Sequence, residues 1–301
     1  MLAAAAAKVL PIGFPKLIVS PIASGFRKFA PFVGTQDVMV MHSVVDILGL
    51  NTVSRTVFDS AAAAIAGMAR AYEARGEMCA PQDRQSIAAT MLGNTTRPLM
   101  RVRPRIEALG YDFVIFHANG VGGPAMEKLI AEGYFAGVID YTLSELPGFI
   151  AGGFHNGGPE RLDAAARAGI PQVIVPGCLD FMVFGARHEV PEQFRDRPMY
   201  YHNPEFTLVR VTEDEQMRAA QMLIDKVNRA VGKVIVLVPL RGGSIMDIEG
   251  GAFWNPQLNQ QVRDLIRQGL KTNIDYREVD AHINDDGFAD ATFDAMIELL
   301  S

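Results

Sequence analysis

The segment HANGVGG, residues 117–123, places a histidine, an asparagine and three glycines between an apolar run and an amphipathic run. Glycine permits positive φ and lets the backbone approach a ligand closely. The free N–H groups at the start of a following helix attract anions. The G-x-G-G spacing is neither the dinucleotide fingerprint nor a Walker A loop. Two interpretations therefore stay open, a phosphate cradle formed by Gly120, Gly122 and Gly123 or a tight strand-to-helix corner.

A second glycine-containing stretch is PLRGGS, residues 239–244, which follows the clearest apolar strand of the chain. Arg241 is able to hold a carboxylate or phosphate with two hydrogen bonds. Gly242, Gly243 and Ser244 would bring backbone amides and a hydroxyl close to the same anion. The alternative is a surface loop with a solvated arginine.

The segment VDAHINDD, residues 279–286, concentrates polar side chains after another predicted strand. In extended backbone, Asp280, His282 and Asn284 share one side. They suit acid–base work, a sugar hydroxyl or a metal. The alternative is helix capping by Asn284 or Asp285. A metal is not favoured, because no H-x-x-x-H or C-x-x-C spacing accompanies them.

Asp180 and His202 complete the candidate acid–base groups. Asp180 follows a predicted strand in PGCLD, and His202 lies in YYHNPE. We predict a long irregular stretch over residues 178–205, with the composition of a lid over a ligand. The alternative is a structured excursion whose arginines form surface ion pairs.

The elements that must position these residues alternate between strand-like and helical runs, which predicts an α/β fold with a mostly parallel sheet. Ligands of such sheets bind beyond the carboxyl ends of the strands. A polar tract at residues 76–85, broken by Pro81, marks the predicted boundary between domains 1–84 and 85–301. If one sheet continues after residue 85, six loops lie along one edge: GNTT, HANGVGG, DYTLSE, PGCLD, PLRGGS and DAHIND.

Composition excludes several classes of protein. The 301-residue chain has a formal charge of −6 and no dense basic block, which argues against nucleic-acid binding. Two cysteines make no disulfide framework, so a reducing, cytoplasmic setting is expected. No apolar run approaches the ~18 residues that a membrane span needs.

Several stretches together resemble one family, in its order and over essentially the whole chain. The chain is similar to the tomato mosaic virus resistance protein-like ATP-binding family of bacteria and fungi. The family's loop H-A-T-G-x-G-G reads HANGVGG here, with Asn119 where threonine is usual. The other matching stretches are PFVGTQDVMVMHSVVDILGLNTVSRTV, GIPQVIVPGCLDFMVFGA, HNPEFTLVR, PLRGGSIMDIEGGAFWNP and DAHINDDGFADA.

The resemblance implies two Rossmann-like α/β halves, ATP with Mg²⁺, and a homodimer. It further implies a TIM-barrel protein as a partner, because some relatives are fused to one. It also implies that residues 1–84 are a partial α/β domain lacking its usual N-terminal part.

Under the leading hypothesis, the protein binds ATP and acts on a small metabolite. His117, Asn119 and the three glycines of HANGVGG contact the nucleotide, with residues 241–244 opposite them. Asp180, His202, Asp280 and His282 surround the reacting centre. The alternatives are a non-catalytic, ATP-responsive binding module and a sugar- or acid-processing enzyme without ATP.

Overall fold

The computed structural model describes residues 2–22, 30–75 and 85–301. The chain divides into two compact units, Met1–Asp83 and Arg84–Ser301. The polar tract that predicts the domain boundary lies, apart from Gln85, outside the described residues.

The described part of the N-terminal unit contains helices and one short parallel strand pair. Leu17 of the first strand pairs with Met39 of the second. A small core includes Ile18 and Phe32. The elements are α1 (Leu2–Lys8), β1 (Leu17–Ser20), α2 (Ala30–Val33), β2 (Met39–His42) and α3 (Thr52–Arg75).

The C-terminal unit contains a large parallel sheet and a small antiparallel one. Its strands are β3 (Ser86–Met91), β4 (Asp112–His117), β5 (Gly137–Asp140), β6 (Gln172–Ile174), β7 (Phe181–Phe184), β8 (Met199–Asn203), β9 (Phe206–Arg210), β10 (Val234–Pro239) and β11 (Asp275–Val279). Its helices are α4 (Thr96–Ala108), α5 (Gly122–Ala131), α6 (Glu145–Ala151), α7 (Asp163–Ala168), α8 (Glu213–Val227), α9 (Pro256–Gly269) and α10 (Asp286–Leu300).

The large sheet has the order β4-β3-β5-β6-β10-β11, and every neighbouring pair is parallel. This confirms the predicted α/β class. The sequence predicts that six polar loops lie along one edge of the sheet. Each of these loops follows one of the six strands, and this prediction is therefore confirmed as well.

Helices cover both faces of the sheet, which gives three layers. β10 is buried along its whole length, as expected of a parallel strand with both faces covered. Ile235 and Leu237 pack with residues of α4 and α10, whereas Val234 and Val236 pack with residues of α8 and α9. Alternate residues of one strand thus belong to two separate cores.

Local signals fix several helix ends. The side chain of Thr212 accepts a hydrogen bond from Glu215 N at 3.2 Å, in a capping box at the start of α8. Asn255 caps α9 by accepting from Leu258 N at 3.1 Å.

The predicted irregular stretch at residues 178–205 is wrong in part, because it contains two strands. β7 and β8 lie within it and pair with β9 in an antiparallel three-stranded sheet, in the order β7-β9-β8. Apolar Phe181–Phe184 forms a fully buried strand. β8 and β9 form a hairpin, in which Asn203 Oδ1 accepts hydrogen bonds from Glu205 N and Phe206 N at 2.9 Å each.

Within the described ranges, no helix has both the length and the apolar character needed to cross a bilayer.

Candidate functional site

The sheet changes its direction of progression between β3 and β5. The chain continues from β3 to β4 on one side, and from β5 to β6 on the other. In open α/β sheets, ligands bind beyond the carboxyl ends of the strands at such a topological switch point. The loops at this point are residues 92–95, after β3, and residues 141–144, after β5.

A cavity of about 440 Å³, the switch-point cavity, opens beside the loop after β3. Its volume lies within the range of roughly 300–1,000 Å³ that is typical of small-molecule sites. The small antiparallel sheet forms one of its walls. Its lining consists of apolar side chains, neutral amides and imidazoles: Leu92, Gly93, Asn94, His117, Asn119, Phe154, His155, Val183, His202, Asn203, Phe206 and Leu208.

Two lining residues have buried polar atoms without a partner in the protein. Asn94 is 3% exposed, and neither its Oδ1 nor its Nδ2 has a hydrogen-bond partner. Nδ1 of His155 is also buried and unpaired. Burial of unpaired polar atoms is costly unless a ligand or water completes them. Both residues therefore present unused hydrogen-bonding capacity to the cavity.

Histidine side chains surround this space. Burial, and to a smaller extent the nearby His117, lower the pKa of His155 to about 4, so its imidazole is neutral at pH 7. The His155 ring meets Phe206 edge-on, with 6.0 Å between the ring centroids. A Cβ added at Gly93 would lie 3.4 Å from His202 Nε2, which shows that His202 faces the loop after β3.

The glycine loop, residues 117–123, does bind an anion, and that anion is a carboxylate of the chain itself. Gly120 N donates to Oε1 of Glu145 at 2.7 Å, and Gly123 N donates to the same oxygen at 3.2 Å. Asn119 Oδ1 accepts from the amides of Val121 and Gly122, at 3.2 Å each. The amides of the loop are therefore already paired within the protein.

Glu145 belongs to a buried charge cluster, which we call the Arg161 cluster. Arg161 is fully buried, and its Nε donates to Glu145 Oε2 at 2.7 Å. Its two terminal nitrogens hold Asp140 in a two-pronged pair at 2.6 and 2.7 Å. Nη1 also contacts Oε1 of Glu127 at 3.1 Å. One guanidinium thus organises three carboxylates beneath the glycine loop.

Asp180 and Ser244 lie in a second buried polar group, and His282 contacts it. Ser244 Oγ donates to Asp180 Oδ2 at 2.7 Å. His282 Nε2 lies 2.8 Å from the carbonyl oxygen of Ser244, and its Nδ1 accepts from Asn284 N at 3.2 Å. Both ring nitrogens of His282 are therefore paired. Asp285 is the N-cap residue of α10, and its Oδ2 accepts from His282 N at 2.8 Å.

Arg241 and Asp280 pair with each other at the surface. Nε and Nη2 of Arg241 contact the two carboxylate oxygens of Asp280, each at 2.8 Å. Both side chains are more than half exposed. The guanidinium proposed for an incoming anion thus already holds a carboxylate.

The structure does not bring the candidate residues into one place. The glycine loop follows β4, whereas residues 241–244 follow β10, four strand positions away in the sheet. At ~4.8 Å per strand, these loops are about 19 Å apart and do not face each other across one phosphate group. His117, Asn119 and His202 meet at the switch-point cavity, whereas Asp180, Asp280 and His282 lie elsewhere.

The sequence interpretation missed Asn94, Phe154, His155 and Phe206. Asn94 lies in the strand-end loop GNTT, whose composition does not single this residue out. Phe154 and His155 lie in GGFHNGG, residues 152–158, where flanking glycines were an available signal. Among the described residues, no three His, Cys, Asp or Glu side chains cluster as a metal site would require.

Comparison with protein families identifies the chain over nearly its full length. The model described as "Uncharacterised protein family (UPF0261) C-terminal domain" matches residues 84–300, and the corresponding N-terminal domain model matches residues 1–74. The chain belongs to this family. Residues of both family domains are therefore present in the chain.

Two relatives in this family show how far the similarity extends. A UPF0261 protein of Clostridium tetani is 38% identical over 302 residues, which cover 99% of this chain and 73% of that protein. The ToMV resistance protein Tm-1 of Solanum lycopersicum is 35% identical over 303 residues, covering 99% of this chain but 40% of the tomato protein. What the longer tomato protein does as a whole is therefore not assigned to this chain.

Among solved structures, the thioesterase domain from the curacin biosynthetic pathway matches 72% of this chain and 92% of its own, with 9% identity and a TM-score of 0.36. A likeness at this level supports no statement about function.

We expect the variant His155→Gln to lose less stability than the wild type as the pH falls. Because the pKa of His155 is lowered to about 4, the native state resists protonation that the unfolded chain accepts near 6.5. The contribution of His155 to the free energy of unfolding is therefore complete above pH 6.5, and it is lost as the pH falls towards 4. The loss is on the order of 3 kcal/mol for a shift of this size.

Urea unfolding midpoints between pH 4 and 7.5 measure this effect. His188→Gln is the matched control, because His188 is exposed. The wild type and His188→Gln should lose stability more steeply than His155→Gln as the pH falls. Equal slopes for all three proteins would contradict the assignment.

Proposed function

We propose that this protein binds a nucleotide, with ATP as the first ligand to test, and that the base and ribose occupy the switch-point cavity. The observation that carries the proposal is the buried side-chain amide of Asn94, with both polar atoms unpaired at the edge of a cavity of nucleoside size. An asparagine amide pairs with the N6 and N7 atoms of adenine through two hydrogen bonds.

The aromatic lining supports a planar ligand. Phe154 and Phe206 both line the cavity and are partly exposed, at 49% and 41%. Aromatic side chains stack with any nucleobase, because every base has a π-face. His155 and Asn94 would then supply the hydrogen bonds that orient the ring.

The residues around the switch-point cavity suit the triphosphate of ATP less well than they suit the base. Of the described residues that line the cavity, none is Lys or Arg. The amides of Gly120 and Gly123 are occupied by Glu145, and Arg241 is occupied by Asp280. We therefore infer that the phosphates and their Mg²⁺ add less to the binding free energy than the base does.

Calorimetric titration with ATP, ATP plus Mg²⁺, and adenosine tests this proposal directly. We expect adenosine and ATP to bind with dissociation constants within about tenfold of each other, a difference below ~1.4 kcal/mol. Binding of ATP without binding of adenosine would reject base recognition. Absence of both at millimolar concentration would reject nucleotide binding and leave the sugar- or acid-processing alternative.

Asn94→Ala should weaken adenosine binding by about 10- to 100-fold, which corresponds to ~1–3 kcal/mol for a two-pronged contact. Asn94→Asp places an acceptor oxygen opposite the acceptor N7 of adenine, so it should bind adenosine no more tightly than the alanine variant. Asn273→Ala makes the same truncation at an exposed position outside the cavity and should leave binding unchanged. Equal affinities for Asn94→Ala and Asn273→Ala would exclude Asn94 from the site.

An acid–base enzyme is the second candidate, and the histidines around the cavity favour it. A neutral His155 donates or accepts a hydrogen bond without carrying charge, and His117 and His202 line the same space. Product analysis after incubation with ATP and Mg²⁺ separates this candidate from a non-catalytic module. Turnover supports the enzyme, whereas binding that changes only the oligomeric state supports the regulatory module.

A further inference from the structure

The loop after β5, residues 141–144, lies at the switch point but behind the cavity wall. None of the described residues that line the switch-point cavity belongs to this loop. Two of its polar side chains, Thr142 and Ser144, are 0% exposed. Buried hydroxyl groups need hydrogen-bond partners. Both side chains find their partners in the loops that do line the cavity.

The hydroxyl group of Thr142 reaches the turn that carries Asn94. Oγ1 of Thr142 lies 2.7 Å from Oγ1 of Thr95, within hydrogen-bond distance. Thr95 closes the turn after β3, because its Oγ1 accepts from Leu92 N at 3.1 Å and its own N donates to Leu92 O at 2.9 Å. Asn94 lies inside this turn. Because its side-chain amide has no hydrogen-bond partner in the protein, the direction of that amide depends on the turn.

Thr142 is itself held by the Arg161 cluster. Its backbone N donates to Thr90 Oγ1 at 3.0 Å, and Thr90 Oγ1 lies 2.7 Å from Asp140 Oδ1. An ionised carboxylate only accepts hydrogen bonds, so the hydroxyl proton of Thr90 points to Asp140. Arg161 fixes that carboxylate from its other side. A buried chain of hydrogen bonds thus runs from Arg161 to Thr95, and such networks make the groups that they join rigid.

Ser144 connects the same segment to the neighbouring loop. Its Oγ donates to the carbonyl oxygen of Ala118 at 3.3 Å. Ala118 lies between His117 and Asn119, which both line the cavity. The loop after β5 therefore holds the two cavity-lining loops after β3 and β4 in place relative to each other.

We propose that Thr142 is a positioning residue of the switch-point cavity, whose hydroxyl group fixes the turn that directs the Asn94 amide towards the base. Thr142 itself contacts no ligand. This inference rests on the proposed function, since the base is the group that Asn94 would bind. A single hydrogen bond makes a modest net contribution, so we expect its loss to weaken adenosine binding by about 3- to 10-fold.

Calorimetric titration of the whole chain with adenosine tests this role. Thr142→Val removes the hydroxyl group with little change of shape and should show the weaker binding. Thr292→Val is the matched control, because Thr292 is also 0% exposed and its Oγ1 donates to Phe288 O at 2.8 Å within α10. It should keep the wild-type affinity. Equal affinities for the two valine variants would overturn the proposal.

The conservative variant separates the hydroxyl group from the shape of the side chain. Thr142→Ser keeps the hydroxyl group and should bind adenosine about as well as the wild type. If Thr142→Ser binds as weakly as Thr142→Val, the hydroxyl group is not what positions the turn, and the proposal is wrong.

A double-mutant cycle tests whether Thr142 acts through Asn94. Residues that act through one another have effects that do not add. Thr142→Val should therefore cause no further loss of affinity in a protein that already carries Asn94→Ala. A further loss of about 3- to 10-fold in that background would show that Thr142 acts elsewhere in the protein.

A measurement without ligand keeps this inference separate from the proposed function. The side-chain amide signals of Asn94 in the ¹⁵N NMR spectrum are assigned by their absence from Asn94→Ala. They should shift in Thr142→Val and stay in place in Thr292→Val. Unshifted signals in Thr142→Val would reject the positioning role. Shifted signals together with no adenosine binding by the wild type would support that role and reject the proposed function.

Discussion

Arg161→Met is expected to give the largest loss of stability of any single substitution considered for this protein. The guanidinium of Arg161 binds Asp140, Glu145 and Glu127, and the side chain is fully buried. Removing one partner from a buried ion pair typically costs about 3–5 kcal/mol, because an uncompensated charge remains. Here three carboxylates lose the same partner, so we expect a loss at or above the upper end of that range.

The pKa directions support this expectation. Burial raises the pKa of Glu127, and the charge of Arg161 opposes that rise. In the methionine variant, the opposing charge is absent, so Glu127 should take up a proton at higher pH. The destabilisation should therefore become smaller as the pH falls towards 5.

Urea unfolding followed by circular dichroism measures the effect. Arg167→Met is the matched control, because Arg167 is 69% exposed and its pair with Asp163 has a distance of 3.7 Å. Such a surface pair contributes at most about 1 kcal/mol. Arg161→Lys retains the charge without the planar fork and should lie between the two. A midpoint for Arg161→Met equal to that of Arg167→Met would show that the cluster is unimportant for stability.

The general plan of the C-terminal unit was predictable, because its signals are local. Fully apolar runs such as VIVLVP predict buried parallel strands, and the capping box at Thr212 predicts the start of α8. The alternation of strands and helices alone predicts that the polar loops after the strands lie on one edge of the sheet. Strand order is different, since it depends on which distant segments pair. The sequence therefore could not show that the loops after β4 and β10 lie about 19 Å apart, at ~4.8 Å per strand.

The types of side chain at the candidate site could be predicted from the sequence, but several of its residues could not. His117, Asn119 and His202 were identified from polar loops, and all three line the switch-point cavity. Asn94 was not, because an asparagine after a strand is common and only its burial without a partner marks it. His282 shows the opposite case, since a histidine among acidic residues attracts attention although both of its nitrogens are paired.

The glycine loop shows why composition alone leaves a function open. Its glycines and the following helix are features of an anion site, and an anion does bind there. The anion is Glu145, 22 residues beyond Gly123 in the chain, so no short motif could reveal it. Tight packing also accounts for the glycines, because a Cβ at Gly122 would overlap the backbone carbonyl of His117.

Gly123→Ala separates the internal anion from an external phosphate. A Cβ at Gly123 would overlap Oε2 of Glu145 and Nε of Arg161, two groups that are fixed by their own hydrogen bonds. Forcing an extra carbon into a packed site costs about 1–3 kcal/mol, and displacing a buried pair adds to that cost. We therefore expect a lower urea midpoint for the protein without any ligand. Gly287→Ala, where a Cβ would meet no atom within 4 Å, should leave the midpoint unchanged or raise it slightly.

The same pair of variants should be titrated with ATP. If the loop amides serve Glu145, the destabilisation of Gly123→Ala appears in the absence of nucleotide, and Glu145→Gln, which keeps the shape and removes the charge, also lowers the midpoint. If the loop serves a phosphate, Gly123→Ala keeps the midpoint of Gly287→Ala and loses only the affinity for ATP relative to adenosine. The second pattern would support the phosphate interpretation. In that case, the carboxylate of Glu145 contributes nothing to stability, and the phosphate of a nucleotide displaces it from the loop.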